Sequence, residues 1–499
     1  MPIRITGLNS GLDTESIISA LVSSYNYKTD KYKKAQTKLS WKQDAWKSLN
    51  TKIYSFYTSL DSMRYSYGYS MNKATISDST KASVSISGNV ANGVQTLKIS
   101  SIAQTGYMTG AELKTEDGKK AGSGTTLSDL GYSGSGKISV TDKEGGKTTE
   151  IDVTGSMTIG EFTQKLNEAG VKANFDSSNG RLFINSKETG AANDFTLKSL
   201  DANGENALSA LGLTEEKGMK RIDGSDAKII LNGAEYTSST NEFVVNGMSI
   251  SAKAVTGENE TLSINVETDT QGLYDKIKNF ITSYNSLINE ITSLYNADSA
   301  KGYEPLTDEE KDQMSETEIE KWEEKIKESL LRRDDTLSSL MSGMVSAMSK
   351  SYTVDGKSTS LSDFGIMTLG FLNASKNEHN AFHINGDEDD SAVSGKEDKL
   401  MAAIKEDPDK VVDFMKQLTQ GLYDSIDKKM KATSLSSSYK VYNDKEMASE
   451  YSDYTETITK WEKKLTSMED YYYKKFSAME TALAKLQSQQ NSLASLLGS

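Results

Sequence analysis

The sequence predicts an α+β multidomain protein with a terminal α-helical coiled coil, a central helical-bundle domain and two mainly antiparallel β domains, one inserted in the other. Two observations predict it. Apolar residues recur every seven positions near both ends of the 499-residue chain, whereas between about residues 75 and 268 they alternate with polar ones. A sevenfold repeat with 3–4 alternation indicates a helical seam, and a period of two indicates β-strands.

The N-terminal helix is predicted from two interleaved series. Together they contain Ile18, Leu21, Tyr25, Tyr32, Leu39, Trp46, Leu49, Ile53, Phe56 and Leu60. Lys28 and Lys42 also fall in this seam, and Lys475 and Gln489 fall in the corresponding C-terminal series. Polar residues at such positions weaken an isolated helix pair but fix its register with the correct partner. Between Lys28 and Lys52, eight lysines accompany two aspartates. This run is typical of a solvated helix face.

The β region is predicted from short runs in which apolar residues alternate with polar ones, separated by turn dipeptides such as Asn232-Gly233 and Asn246-Gly247. Such dipeptides supply the positive φ angles that hairpins require. A short helix is expected over 158–169, where three apolar residues share a face. We predict a first β domain over 75–125 and 226–271 and an inserted second β domain over 126–225.

Helical periodicity returns at Gly272 and continues to Leu294. An acidic amphipathic segment follows over 307–328, and a further helix is predicted over 337–348. Another helix is expected to begin at Asp407-Pro408, since Asp suits the N-cap and Pro the first turn. The helical domain is thus predicted to comprise residues 42–74 and 272–432.

The C-terminal heptads complete the terminal coiled-coil region, predicted over 1–41 and 440–499. Its helix carries Tyr451, Tyr454, Ile458, Trp461, Leu465, Tyr472, Met479, Leu486 and Leu493. We expect coiled-coil and assembly contacts at Ile18, Leu21, Leu39, Trp46, Leu49, Ile53, Phe56, Ile458, Trp461 and Leu465. Of these, Trp46, Ile53, Phe56, Trp461 and Leu465 are predicted to pack the helical base. Tyr472, Met479, Leu486 and Leu493 are predicted to form a stripe that faces a partner.

The polar seam positions lead to a hypothesis about the free subunit. We expect residues 1–45 and 445–499 to be largely unstructured before assembly and to order on contact with a partner. The alternative is a permanently folded intramolecular helical hairpin.

Composition excludes several classes of function. A net charge of −14 argues against nucleic acid as the main partner. The chain has no cysteine, which removes disulfides, thiol nucleophiles and Cys-based zinc sites. No apolar run is long enough to span a membrane. The opening residues lack the pattern of a general secretory signal, so any export is expected to proceed without a cleaved signal.

No catalytic constellation is apparent, and we predict a protein that is not an enzyme and needs no cofactor. His379 and His383 have metal-site spacing, but their flanks indicate strand or turn, and surface histidines are the simpler interpretation. The acidic run at Asp387 lacks the Gly and Glu of a calcium loop, so we expect a solvated acidic turn. The run from Gly145 to Thr149 resembles a phosphate loop but is better explained by a hairpin turn.

Four segments resemble one protein family. The opening Ile5-Thr-Gly-Leu-Asn-Ser-Gly-Leu-Asp-Thr, followed by Ile17-Ile18 and Leu21, resembles the start of the flagellar filament cap family FliD, also called hook-associated protein 2. Phe280-Ile-Thr-Ser-Tyr-Asn-Ser-Leu-Ile is similar to its helix entering the central domain. Leu361-Ser-Asp-Phe-Gly-Ile and the helix at Asp407 are similar to the segment closing that domain. Residues 158–190 resemble an element shared among flagellin-type proteins.

The resemblance implies an extracellular protein at the flagellum tip, exported unfolded by the flagellar type III pathway. It implies a ring-like homo-oligomer that promotes flagellin polymerisation. The implied partners are flagellin, hook–filament junction proteins and a cytoplasmic export chaperone. An exposed cap could also have a secondary role in adhesion. The stripe from Tyr472 to Leu493 would then face the filament or the chaperone. The alternatives are another flagellar axial protein, such as flagellin or a junction protein, and a surface adhesin.

Overall fold

A computed structural model of the chain describes residues 10–88 and 90–497. The described residues separate into two compact units. Residues Ser70–Asp269 form a mainly β unit, and the residues on either side of this segment form a helical unit. Long helices together with several antiparallel sheets confirm the predicted α+β multidomain class.

The described residues contain ten α-helices, of which the first and last have 50 and 54 residues. They are α1 (Thr14–Met63), α2 (Ile159–Glu168), α3 (Ala202–Ala210), α4 (Thr270–Tyr295), α5 (Asp308–Lys311), α6 (Glu316–Glu328), α7 (Asp335–Met348), α8 (Lys399–Glu406), α9 (Pro408–Met430) and α10 (Asp444–Leu497). None of these described helices is long and apolar enough to cross a bilayer.

Local sequence signals explain where several helices begin. Asp407 caps α9 by accepting from the backbone N–H of Lys410 at 3.0 Å, and Pro408 opens the helix, as predicted. The acidic amphipathic segment over 307–328 forms two helices. Thr307 caps α5 and Ser315 caps α6, each with a glutamate three residues later, so the second cap begins a separate helix.

The core of the helical unit lies where the second half of α1 meets α4, α7, α8 and α9. Its largest fully buried side chains include Trp46, Leu49, Ile53, Tyr284 and Phe414. Burial of side chains of this size is the main favourable contribution to folding of the unit. Two small hairpins lie in the same unit, between α7 and α8.

The strands of the described residues pair antiparallel throughout. They are β1 (Asn72–Ile76), β2 (Ala82–Ile86), β3 (Gly93–Ser101), β4 (Tyr107–Thr109), β5 (Ser135–Thr141), β6 (Thr148–Thr154), β7 (Lys172–Asp176), β8 (Arg181–Asn185), β9 (Thr196–Ser199), β10 (Lys220–Ile222), β11 (Ala227–Leu231), β12 (Ala234–Ser238), β13 (Glu242–Val245), β14 (Met248–Ala252), β15 (Leu262–Thr268), β16 (Tyr352–Val354), β17 (Lys357–Thr359), β18 (Ile366–Met367) and β19 (His383–Ile384).

One core of the β unit lies between the sheet β1-β15-β3-β11-β12 and the sheet β13-β14-β2. The two predicted hairpin turns join β11 to β12 and β13 to β14. Asn232 and Gly233 have φ of 52° and 85°, and Asn246 and Gly247 have φ of 49° and 75°. Positive φ at both central residues gives the turn the twist of the strands it joins.

The second core of the β unit lies between the sheets β10-β4-β8-β7 and β6-β5-β9, together with α2 and α3. The predicted helix over 158–169 is present as α2, with Phe162 and Leu166 fully buried. Leu113 and Ala121 also pack in this second core, although both lie in the range 75–125 predicted for the first β domain. The finer division of the chain into four domains stays a prediction.

Candidate assembly interface

α1 and α10 form an antiparallel helical hairpin. Ring contacts follow its length: Tyr25 lies 6.3 Å from Trp461, and Tyr32 lies 6.3 Å from Tyr454, measured between ring centroids. Residue numbers rise along α1 as they fall along α10, so the helices run in opposite directions. The predicted heptad series therefore supply the contacts between the two terminal helices.

Polar groups along the hairpin are also paired. Gln36 Nε2 donates to Thr455 Oγ1 at 2.7 Å and to the Tyr451 carbonyl at 3.3 Å. At the far end, the hydroxyl and the backbone N–H of Ser10 both donate to the Glu480 carboxylate. These directional contacts fix the register more strictly than apolar packing alone.

The two seam lysines have different surroundings. Lys28 Nζ lies 4.3 Å from the centroid of the Trp461 ring, so it is accommodated between the helices by a cation–π contact. Lys42 Nζ instead pairs with Asp334 Oδ2 at 3.0 Å, in the segment that leads into α7. Lys28 thus contacts a seam residue of α10, whereas Lys42 contacts a different part of the helical unit.

An asparagine outside the predicted assembly residues anchors the start of α10. Asn50 is 4% exposed; its Nδ2 donates to the Tyr439 carbonyl at 3.1 Å, and its Oδ1 accepts from the Val441 N–H at 2.9 Å. Both side-chain atoms are therefore satisfied by the backbone that leads into α10. Asn50 is a polar residue between Leu49 and Ile53 of the seam, and this position is the sequence feature that indicates its role.

The predicted assembly residues divide by burial. Ile18, Leu39, Trp46, Leu49, Ile53, Phe56 and Ile458 are buried, whereas Trp461 and Leu465 are half-buried and Leu21 is 44% exposed. From Leu39 to Phe56 the buried residues belong to the helical core. Trp461 and Leu465 lie outside that core, contrary to their predicted place at the helical base. They are further along α10 than Met447, the last buried residue of α10 that belongs to this core.

The predicted partner-facing stripe becomes more exposed toward the end of α10. Tyr472 and Met479 are half-buried, whereas Leu486 and Leu493 are 61% and 58% exposed. α10 continues 17 residues beyond Glu480, which contacts Ser10, the first described residue, four positions before α1. Large apolar side chains exposed seven residues apart on one helix are typical of a surface that another helix can cover.

Both terminal segments are helical and packed together in the structure, which corresponds to the alternative arrangement, a folded intramolecular hairpin. Their hypothesised disorder in the free subunit stays a prediction. The residues before Ser10, which carry the start of the family-like opening, lie outside the described residues.

The histidines lie in a loop and a strand, as their flanks predicted. His379 stacks on Phe371 with ring centroids 4.6 Å apart, and His383 in β19 pairs through Nδ1 with Asp390 Oδ2 at 2.6 Å. Within the described residues there is no group of three or more His, Cys, Asp or Glu that could hold a metal. Gly145 lies in the turn between β5 and β6, which confirms the predicted hairpin.

The acidic run at Asp387 is less solvated than predicted. Asp387 is 9% exposed, and its Oδ1 accepts from Lys278 Nζ at 2.6 Å; Asp389 Oδ2 accepts from the same ammonium at 2.6 Å. The two carboxylates raise the pKa of Lys278, and the ammonium lowers the pKa of Asp389. A lysine thus supplies the positive charge that this acidic turn requires.

A long helical hairpin with an exposed apolar stripe, carried on a helical bundle, defines a coiled-coil assembly protein. Comparison with known families identifies which one. Residues 224–488 match the model of the flagellar hook-associated protein 2 C-terminus, and residues 10–106 match that of its N-terminus. The chain belongs to the flagellar hook-associated protein 2 family, which confirms the resemblance seen in the sequence.

Two relatives and one solved structure are similar to this chain. The chain is 27% identical over 445 residues to flagellar hook-associated protein 2 of Halalkalibacterium halodurans, covering 82% of this chain and 78% of that protein. It is 28% identical over 313 residues to the A-type protein of Pseudomonas aeruginosa, covering 58% and 63%. A similar solved structure is the flagellar cap protein FliD D1-D2-D3 domains from Escherichia coli, at 19% identity and a TM-score of 0.47, covering 76% of this chain and 95% of that one.

Proposed function

We propose that this chain caps the flagellar filament, as a homo-oligomer at the filament tip that promotes polymerisation of exported flagellin. The observation that carries the proposal is the α1–α10 hairpin with its exposed stripe at Leu486 and Leu493, in a chain of the hook-associated protein 2 family. Each hairpin offers an apolar surface that the single subunit leaves uncovered. A neighbouring subunit or a filament subunit would cover it.

The proposed partners follow from the same surface. Before export, the stripe would be covered by a cytoplasmic chaperone, because exposed leucines on a long helix favour association. After export by the flagellar type III pathway without a cleaved signal, it would face flagellin, a hook–filament junction protein or a second copy of the chain. We propose an extracellular location at the flagellum tip.

The alternatives are less well supported. Flagellin and junction proteins share terminal helices, but the family match is to hook-associated protein 2 at both ends of the chain. For adhesion, we find no surface in the described residues that favours it over capping.

Deleting the gene in the source bacterium tests the proposal. We expect hooks without filaments and monomeric flagellin in the growth medium, and restoration of filaments when the full chain is supplied in trans. Filaments of normal length in the deletion strain would refute the cap function. Electron microscopy of the cells and immunoblotting of the medium give the two readouts.

A further inference from the structure

The acidic segment 307–328, taken here with its flanking residues as 303–334, contains α5 and α6. It contacts a face of α1 that α10 leaves free. Tyr25 faces α10, and Lys34 contacts the acidic segment. These residues are nine positions apart, which is about two and a half helical turns, so they lie on opposite sides of α1. α1 is therefore held from two sides in this part of the chain.

Three contacts join the acidic segment to this face. Lys34 Nζ lies 2.9 and 2.7 Å from the two carboxylate oxygens of Glu310. Lys42 Nζ lies 3.0 Å from Asp334 Oδ2, and Lys327 Nζ lies 4.6 Å from the centroid of the Trp41 ring. The lysine-rich run of α1 is thus partly paired, where the sequence alone indicated a solvated face.

The carboxylate that Lys34 meets is held in place by its own helix. Glu310 Oε2 accepts from the Thr307 N–H at 2.7 Å, and the Thr307 hydroxyl accepts from the Glu310 N–H at 3.2 Å. This capping box holds the Glu310 side chain in place independently of Lys34. Hydrogen bonds from Lys34 and Thr307 lower the pKa of Glu310, so the carboxylate is charged at neutral pH.

The segment is also folded on itself and anchored in the helical core. Trp322 Nε1 donates to the Glu304 carbonyl at 2.8 Å, and its ring lies 4.5 Å from that of Tyr303. Glu323 pairs with Lys311 at 2.9 Å and with Lys327 at 3.1 Å. At its base, Leu331 is 1% exposed and belongs to the core of the helical unit. One end of the segment is fixed in the core, and the rest reaches α1.

We infer that residues 303–334 form an electrostatic strap that fixes the middle of α1, residues 34–42, to the helical core, and that ionic strength releases it. Partly exposed charge pairs are individually weak and are screened by salt, in contrast to the apolar core beneath them. The strap therefore attaches α1 to the helical core through contacts that can be weakened without unfolding the helical unit. The inference does not depend on the proposed function, because it concerns the isolated subunit.

Hydrogen exchange on the full chain, read by mass spectrometry, tests the strap. Glu310→Gln keeps the capping box, because Gln serves at this position, but removes the charge that Lys34 meets. Lys34→Gln removes the same pair and leaves the cap untouched. The control is Glu320→Gln, the same charge change at an exposed position of α6.

We expect exchange in residues 27–42 to be roughly threefold faster in both strap variants than in the control, since an exposed pair contributes little more. In about 0.5 M sodium chloride, where the Debye length is roughly 4 Å, the unmodified chain should exchange as fast as the variants. Equal exchange in strap variants and control would overturn the inference. So would acceleration by Glu310→Gln alone, because the effect would then arise in α5, or protection of residues 27–42 that does not respond to salt.

Discussion

The indole ring of Trp46 stacks on the phenol ring of Tyr442, with centroids 5.4 Å apart and planes 9° apart. Trp46 lies in α1 and Tyr442 two residues before α10, so this pair closes the base of the helical hairpin. Both side chains are buried in the core of the helical unit, at 2% and 7% exposure. The position of α10 is thus set from within the core, and the exposed part of the hairpin extends from a fixed base.

Trp46→Ala should destabilise the helical unit by about 3–5 kcal/mol, because it removes a buried aromatic side chain and leaves a cavity. Urea unfolding followed by circular dichroism measures the change. Trp461→Ala is the matched control: its ring is half-buried against Tyr25 and Lys28, so we expect a loss of only about 1 kcal/mol. Equal losses at the two positions would show that the core does not end where the structure places it.

Asn50→Ala should release the start of α10. It leaves the Val441 N–H and the Tyr439 carbonyl without their buried partner, at a cost of about 2–3 kcal/mol. We expect faster hydrogen exchange from Val441 into the first turns of α10. Asn285 makes the same pair of bonds, to the carbonyl and N–H of Phe382, and provides the control. Asn285→Ala should accelerate exchange near Phe382 and leave α10 protected; acceleration of α10 by both variants would indicate general loosening.

The seven-residue repeat predicted the hairpin but not the burial of each member. Val22 is 1% exposed and Leu21 is 44% exposed, although Leu21 belongs to the predicted series. Val22 follows the buried Ile18 by four residues and Leu21 follows it by three. At 3.6 residues per turn these two lie about 40° and about 60° from Ile18, on opposite sides of α1, and only the nearer one is buried. Periodicity therefore locates a seam, and the folded structure shows which residues line it.

Two parts of the fold could not be predicted from local patterns. α3 was missed because Gly204 in its first turn disfavours a helix, yet a Cβ there would lie 2.1 Å from the Lys137 carbonyl oxygen. The pairing of Lys34 with Glu310 joins residues 276 positions apart. Complementary charge in two segments suggests such a contact, but only the folded chain shows which residues meet.

Lys278→Met should lower the stability of the helical unit at neutral pH, because it removes the ammonium that pairs with the buried carboxylate of Asp387 and with Asp389. The pKa of Asp389 is lowered by Lys278, so this stabilisation is complete above the unfolded Asp value of about 3.9 and is lost as pH falls through the folded value. The pKa of Lys278 is raised, so its contribution is complete below about 10.4 and is lost above that. Facing the ammonium are Asp387, Asp389 and the pair His383–Asp390.

The measurement is the melting temperature of the unmodified chain and the variant from pH 2 to pH 8. We expect the difference between them to be large at pH 7 and to shrink below about pH 4. Lys405→Met is a control, since Lys405 is an exposed lysine in the last turn of α8. If the difference in melting temperature does not change with pH, Lys278 stabilises the unit through packing of its aliphatic side-chain carbons and not through its charge.

Replacing Leu486 and Leu493 together with Ser separates folding from assembly. Both side chains are largely exposed, so the melting temperature of the subunit should be unchanged, as for most surface substitutions. If the stripe is covered by a partner at the filament tip, the same variant should fail to restore filaments in the deletion strain, and flagellin should appear in the medium. The control is Gln487→Ser with Ala494→Ser, one residue further along the same helix and turned away from the stripe. A lower melting temperature would mean that the stripe packs within the subunit. If this variant forms normal filaments, the stripe is not part of the interface. The cap function itself is tested separately by the gene deletion.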